Sequence, residues 1–550
     1  MGNKIKSPHH HHRLFNFYHH FHGSDLVLLI NLAAGLSIFF FGYDQGVMSG
    51  VNISPDYINV MGLRGRDALL GAVVAVYYAG TLIGALMGGW IGDKIGRIKT
   101  VIVGCIIAII GAVLQTSAQN VGWMMASRVI TGIGTGHLNA IVPVWSAETS
   151  HHTSRGMFIA MEFTLNIFGV VVAYWLDYGM SYTEGGLRWR FPIAFQLLPL
   201  AILAVGINFF PESPRWLAKV GRHDQAIDIL SSLRGDGDPN HPEVQKEYNQ
   251  IKEALELEAA EGEPTYWSML FHYDKLNIPR RVHLSIWLQI LQELTGIGVI
   301  TVYAPSLFLT AGFSERTSQL LSGFNNIFYM ICTIVPIFTI DKWGRRFTLF
   351  YGAVLQGICL ILVAVLTKPN IMMMNPIGFG IAATVFIFGY TGFFGMTWLA
   401  VPWIYPVEIY PTRVRARGGA WSVVGWSIGN ALIMEVTPPM LSSIGWASFL
   451  VFGAFNFLTI PIVWALYPET SSKTLEELDV VFSTKSMLVF KAEKELAKLK
   501  ERDVDSMDRS PVIMNDRTGD MEKTAPPPPS STEAGHVYEK PNNNDNTTKP

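Results

Sequence analysis

The sequence has little charge. Only 15% of its 550 residues are Asp, Glu, Lys or Arg, against roughly 25% in an ordinary soluble protein. A chain this poor in charge cannot coat several soluble domains. Cysteine is scarcer still. Cys105, Cys332 and Cys359 are the whole complement, all inside apolar runs and without metal-ligand spacing, so no disulfide scaffold or cysteine metal site is expected. A net charge of −2 offers no basic field for nucleic acid. There is no G-x-x-x-x-G-K-[ST] phosphate loop and no nucleophile–base constellation outside the apolar segments, which argues against an ATP-driven pump or an enzyme. What the chain does have is apolar bulk: 49% hydrophobic residues, with 32 Phe, 51 Gly and 15 Trp. It reads as one polytopic membrane unit whose first partner is the lipid bilayer.

A membrane helix needs about 20 mostly apolar residues. Twelve such runs are present, centred near Gly35, Tyr78, Ala108, Gly132, Phe168, Leu200, Thr295, Cys332, Gly357, Thr391, Gly425 and Phe455. A charged stretch, Pro211 to Arg281, separates the sixth from the seventh and contains amphipathic helical segments near Asp224–Leu233 and Val244–Ala260. The expected organisation is all-α: a tail over 1–25, a six-helix bundle over 26–210, a helical linker over 211–281, a second bundle over 282–467 and a tail over 468–550. From about residue 500 the tail, with Pro526 to Pro529 and an Asn-rich end, has the composition of a disordered segment. The first 25 residues show no signal-peptide pattern. Their histidines (His9 to His12, His19, His20 and His22) read as an exposed polar tail rather than a metal site.

Lys and Arg set the orientation. With the N-terminus inside, the short inner loops carry ten basic residues: Lys94, Arg97, Lys99, Arg155, Lys342, Arg345, Arg346, Arg413, Arg415 and Arg417. The outer loops carry six: Arg64, Arg66, Arg188, Arg190, Arg316 and Lys368. Both termini are therefore expected in the cytoplasm.

The chain also repeats itself. Asp93-Lys94-Ile95-Gly96-Arg97 follows the second run, and Asp341-Lys342-Trp343-Gly344-Arg345 follows the eighth, 248 residues on. Glu148 precedes Arg155 by seven residues, and Glu408 precedes Arg415 by the same spacing. Parallel halves with a site between them are the build of a secondary transporter. Positive-inside topology accounts for the bases but not for the matched acids. Asp93, Arg97, Glu148 and Arg155, with Asp341, Arg345, Glu408 and Arg415, are thus expected to form a charge network that latches the inner ends and parts when the site opens inward.

Ionisable residues at membrane depth are costly and are functional candidates. Asp44 lies in the first run and Arg128 in the fourth, ahead of Gly132, Gly134 and Gly136. An Asp whose charge is held by an Arg that can move away is a proton switch. A static salt bridge is the alternative. Glu293 sits beside Gln292 in the seventh run, before Gly296 and Gly298, where a loosened helix suits a binding site. Glu162 and Asn166 stand one turn apart in the fifth run, Glu435 lies in the eleventh, and His137 reads as a packing residue. Trp403, between Pro402 and Pro406, offers a ring face of the kind that packs on a sugar.

Taken in order, these segments resemble the sugar porter family of the major facilitator superfamily, in its fungal form, from about Leu26 to Asp479. The likeness is carried by Gly92 to Arg97, by Arg128 with its glycines, by Pro143 to Glu148 with Arg155-Gly156, and by Pro211-Glu212-Ser213-Pro214-Arg215-Trp216-Leu217. It continues in Asp341 to Arg346, in Pro402-Trp403 with Glu408 and Arg415, and in Pro468-Glu469-Thr470 with Lys473 to Glu477. The resemblance implies the major facilitator fold, with twelve helices in two six-helix halves and alternating access to a central sugar or polyol site. It implies a coupling acid at Asp44 with Arg128 as partner, and site or gate positions at Gln292, Tyr303, Trp403 and Asn430. The departures fall in that site: Glu293 and Phe163 stand where the family has Gln, Gly298 where it has Asn, Trp426-Ser427 where it has Asn-Trp, and Leu399-Ala400 where it has Gly-Pro. The expectation is a proton-coupled symporter of a sugar or polyol in the plasma membrane, working as a monomer, with protons as coupling ion and no cofactor. A sugar sensor or a passive facilitator is the alternative on the same fold.

Overall fold

A computed structural model describes residues 21–150, 155–261, 264–273, 276–310, 312–411, 414–471, 473, 475–484 and 488–494. His9 to His12, His19 and His20, the chain beyond 494 with Pro526 to Pro529, Arg413 and the side chain of Arg155 lie outside the described residues.

The apolar runs form helices because a backbone in lipid must satisfy its hydrogen bonds within the segment. The first half contains Gly23–Val51, Asp67–Ile95, Arg97–Thr116, Val121–Thr149, Arg155–Met180 and the paired pieces Leu187–Phe195 and Leu197–Gly206. The second half contains Ile278–Leu294 with Ile297–Thr310, Glu315–Cys332 with Val335–Trp343, Arg345–Leu366, Pro376–Met396 with Val401–Ile409, Arg415–Ile444, and Ala447–Leu466. We number these spans first to twelfth. Among the described residues, nine are long and apolar enough to cross a membrane, and the eighth span, bent by 46° at its break, makes a tenth. The fourth and eleventh, of 29 and 30 residues, have the length but are diluted by polar groups such as Arg128, His137, Asn139, Asn430 and Glu435. The result is a twelve-helix fold.

Between the halves the linker forms Pro214–Lys219, His223–Arg234, Pro242–Glu261 and a short helix, Tyr266–Phe271. The last lies outside both amphipathic segments read from the sequence. The linker marks one end of the bundle, called here the linker face; the opposite end is the far face.

Small residues set the spacing inside each half. The second and fourth spans approach so closely at Gly132 that a Cβ there would fall on the Tyr77 carbonyl. Across the seam between halves, the second span meets the eleventh, where the Thr81 and Ser427 hydroxyls are 2.8 Å apart. The fifth meets the eighth, where the Thr164 and Thr333 hydroxyls are 3.2 Å apart.

Candidate functional site between the two halves

The seam owes its cavity to two broken helices. The seventh span breaks between Leu294 and Ile297, and the tenth between Met396 and Val401. A break frees backbone carbonyls that lipid cannot satisfy, so side chains must. The Thr295 carbonyl accepts from Asn456 Nδ2 at 2.9 Å and from the Tyr390 hydroxyl at 3.0 Å. In the tenth span, Gln292 Nε2 donates to the Trp398 carbonyl at 2.8 Å and to that of Leu399 at 3.3 Å, while Gln289 Nε2 donates to Pro402 at 3.1 Å. Gln292 thereby ties the two breaks together.

The cavity between these breaks is lined by Gln292, Glu293 and Asn430 from the second half and by Gln45 and Asn166 from the first. Phe41, Tyr78, Phe163, Trp403 and Trp426 form its aromatic walls. Gln292 Oε1 is buried and finds no hydrogen-bond partner among the described residues. Glu293 is buried beside Asn430 and Trp426, and Asn430 Nδ2 is held by the Trp426 carbonyl at 3.1 Å. Asn166 Nδ2 donates to the Ile38 carbonyl at 3.2 Å. Trp403 packs on Phe163 with ring centroids 5.1 Å apart and reaches Trp426 at 6.1 Å. Tyr303 does not line the cavity. Its hydroxyl donates to the Met434 carbonyl at 3.3 Å, one layer behind the wall that Met434 forms. The arrangement combines few polar groups with broad aromatic faces, as small-molecule sites do.

Asp44 and Arg128 meet within the first half. Arg128 Nη1 lies 3.3 Å from Asp44 Oδ1, and both side chains are buried. The pair is incompletely satisfied: Asp44 Oδ2, Arg128 Nε and the Tyr77 hydroxyl find no hydrogen-bond partner among the described residues. The Tyr77 ring covers the guanidinium at 4.5 Å. A buried charge pair with unmet hydrogen-bonding groups is expensive to keep. Gln45, the residue after Asp44, lines the central cavity.

On the linker face the two halves carry the same charge cluster. Arg97 Nε and Nη2 each lie 3.0 Å from Glu148, and Arg97 Nη1 lies 3.2 Å from Asp93. Arg345 Nη2 lies 2.5 Å from Glu408 and 2.8 Å from Asp341. Asp341 is largely exposed, so that contact adds little. Arg415, expected in this network, donates to the Tyr410 carbonyl at 3.4 Å.

Two acids that received no role in the sequence reading complete the clusters. Glu212 accepts from the backbone N–H of Arg97 at 2.9 Å and of Ile98 at 3.3 Å. Glu469 accepts from the N–H of Arg345 at 2.8 Å and of Arg346 at 2.9 Å. Each caps the helix that starts after a tight loop glycine, where exposed N–H groups favour a carboxylate. Those glycines, Gly96 at φ +98° and Gly344 at φ +79°, must lack a side chain: a Cβ would sit 2.6 Å from Glu212 and 2.7 Å from Glu469. The signal was present, since each acid follows the last span of its half.

The short linker helix Tyr266–Phe271 bridges the halves at this face. The Tyr266 hydroxyl donates to the Leu86 carbonyl of the second span at 3.2 Å and packs over Gly89, while its ring meets Trp421 of the eleventh span at 5.9 Å. Arg417 of the eleventh span donates to the Pro264 carbonyl and lies 3.7 Å from Asp93.

Of the remaining candidates, Glu162 is buried and accepts from the Ser146 hydroxyl at 2.8 Å. Glu435 is half-buried near the far face. His137 has Nδ1 2.9 Å from the Ile133 carbonyl of its own helix, a packing role.

Two six-helix halves, broken helices at mid-membrane and a cavity on the seam define a membrane transporter of the major facilitator type. Comparison with known proteins agrees. The profile of the family described as "Sugar (and other) transporter" matches residues 30–482, and the chain belongs to that family. The MFS-type transporter oryC of Aspergillus oryzae is 33% identical over 473 residues, covering 85% of this chain and 87% of that protein. The sugar transporter STL1 of Saccharomyces cerevisiae is also 33% identical, over 475 residues, covering 84% and 82%. Among solved structures, the proton:xylose symporter XylE bound to 6-bromo-6-deoxy-D-glucose is similar, with a TM-score of 0.72 and 25% identity over 84% of this chain and 100% of that one. The chain is a multi-pass membrane transporter, not an enzyme.

Proposed function

We propose that this transporter couples inward proton flow to uptake of a sugar or polyol across the plasma membrane, as a monomer with both termini in the cytoplasm. The observation that carries the reading is the buried, incompletely satisfied Asp44–Arg128 pair beside the central cavity. XylE, a similar fold, is described as a proton symporter of xylose. The basic-residue count supports assigning the linker face to the cytoplasm. No cofactor takes part; the proton is the coupling ion.

With the far face open, Asp44 takes a proton and its hold on Arg128 weakens. The substrate enters the seam, where Trp403 and Trp426 offer ring faces and Gln292 Oε1, Glu293 and Asn430 read hydroxyls. Inward opening then requires parting Asp93 from Arg417 and releasing Tyr266 from Leu86. One charge moving inward gains about 2.3 kcal/mol per 100 mV of membrane potential.

The test is external pH in lightly buffered, de-energised yeast lacking their own sugar transporters and expressing this chain. Hexoses, pentoses, disaccharides and polyols are added one at a time. Alkalinisation with one of them, absent from vector controls, supports the reading. Uptake without alkalinisation replaces symport by facilitated diffusion, and silence across the panel at confirmed surface expression overturns transport of these compounds.

A further inference from the structure

We infer that the far mouth of the transporter holds a second binding pocket, a docking subsite for a polyhydroxylated molecule centred on Asp177. This rests on the sugar or polyol transport proposed above.

The pocket is built from both halves. Ser49, Asp177, Tyr178 and Ser181 line it from the first half together with Arg188, and Gln319 faces them from the second. Asp177 is 9% exposed. Its Oδ2 accepts from the Gly50 N–H at 3.2 Å, and its Oδ1 finds no hydrogen-bond partner among the described residues. Arg188, the basic group in this pocket, instead lies 3.4 Å from Glu315. A buried carboxylate oxygen without a donor is costly unless something supplies one.

The chemistry of the lining selects the occupant. An anion brings no donor for the unpaired Asp177 oxygen. A divalent cation would want several carboxylates, and the pocket lining contains one. A molecule with several hydroxyls fits: it donates to Asp177, and it exchanges hydrogen bonds with the Ser49 and Ser181 hydroxyls and the Gln319 amide. Its C–H face rests on Tyr178.

The position gives the pocket its use. Tyr174 forms part of its floor, and the Tyr174 hydroxyl donates to the carbonyl of Thr301, which lines the central cavity. One hydrogen bond across the seam therefore links the linings of the two compartments. A molecule held at Asp177 waits directly above the central site and moves in when the second half of the seventh span withdraws Thr301. A subsite of this kind serves substrate arriving from outside and is bypassed by substrate arriving from the cytoplasm.

The experiment compares influx and efflux. The full-length chain and Asp177→Asn are reconstituted in oriented proteoliposomes, with radiolabelled D-glucose, D-xylose and sorbitol as probes. Asn keeps an oxygen for the Gly50 N–H but can place an NH2 group where the free acceptor stood. The expected result is a rise of about ten-fold in the influx KM with the efflux KM unchanged. Gln319→Ala, on the opposite wall and not needed for the Gly50 contact, is expected to raise the influx KM in the same direction and decides the matter if Asp177→Asn fails to fold. An unchanged influx KM, or an equal rise in both directions, overturns the subsite while leaving transport itself intact. Failure of the wild-type protein to move any of the three probes counts first against sugar or polyol transport, and removes the subsite with it.

Discussion

Arg417 Nε of the eleventh span lies 3.7 Å from Asp93 Oδ2 of the second, so the acid that pairs with Arg97 in one half is also held by a base of the other. The helix Tyr266–Phe271 sits over the same junction. Closure of the linker face is therefore shared between an ion pair and a packed tyrosine.

Tyr266→Ala should loosen this junction. It removes the hydrogen bond to Leu86 and the ring contact with Trp421 while leaving the clusters within each half in place. The expected outcome is faster alkylation of a Ser427→Cys reporter by an impermeant maleimide applied from the linker side, by about five-fold for roughly 1 kcal/mol of lost closure. The three native cysteines are buried, which keeps the background low. An unchanged rate means that the linker helix only rests on the bundle.

Asp44→Asn should abolish uphill accumulation while sparing counterflow exchange, because Asn mimics the protonated acid and no longer responds to Arg128. The same variant should lose the dependence of uptake on external pH. The measurement is labelled-substrate uptake with and without a pH gradient, beside equilibrium exchange. Intact accumulation would remove Asp44 from the coupling step.

Glu293→Gln should alter substrate preference or its pH dependence, because the carboxylate lines the cavity between Asn430 and Trp426. Replacing one carboxyl oxygen by an NH2 group changes which ligand hydroxyls the site can pair with, an effect of about ten-fold for one hydrogen bond. Competition of each sugar and polyol against the transported probe checks this. An unaltered profile assigns Glu293 to packing.

Glu469→Ala should lower thermal stability through the second half. It uncaps Arg345 and Arg346 at once and removes the carboxylate that packs over Gly344. The expected loss is about 1–2 kcal/mol, typical of a helix cap. It is read as a lower melting temperature of the detergent-solubilised protein by fluorescence-detected size exclusion. Glu212→Ala should do the same through the first half, and equal stability of both variants to the parent would show the caps to be incidental.

The sequence by itself determined the spans and the doubling of the fold. Runs of about 20 apolar residues have few alternatives once a bilayer is the solvent, and the repeated Asp–Arg and Glu–Arg spacings marked the two halves. It also singled out Asp44, Arg128 and Glu293, since charge at membrane depth is conspicuous. Glu212 and Glu469 were visible as motifs but not as caps, because capping depends on which helix start the folded loop faces. Only the tertiary structure decided that Gln292 bridges two helix breaks, that Tyr303 stands behind the cavity wall, and that Tyr266 reaches across the seam. Only the fold set Asp177 against Gly50 with one oxygen unpaired. Such roles arise from residues more than a hundred positions apart, and sequence spacing carries no information about the distance between side chains on different helices until the helices have packed.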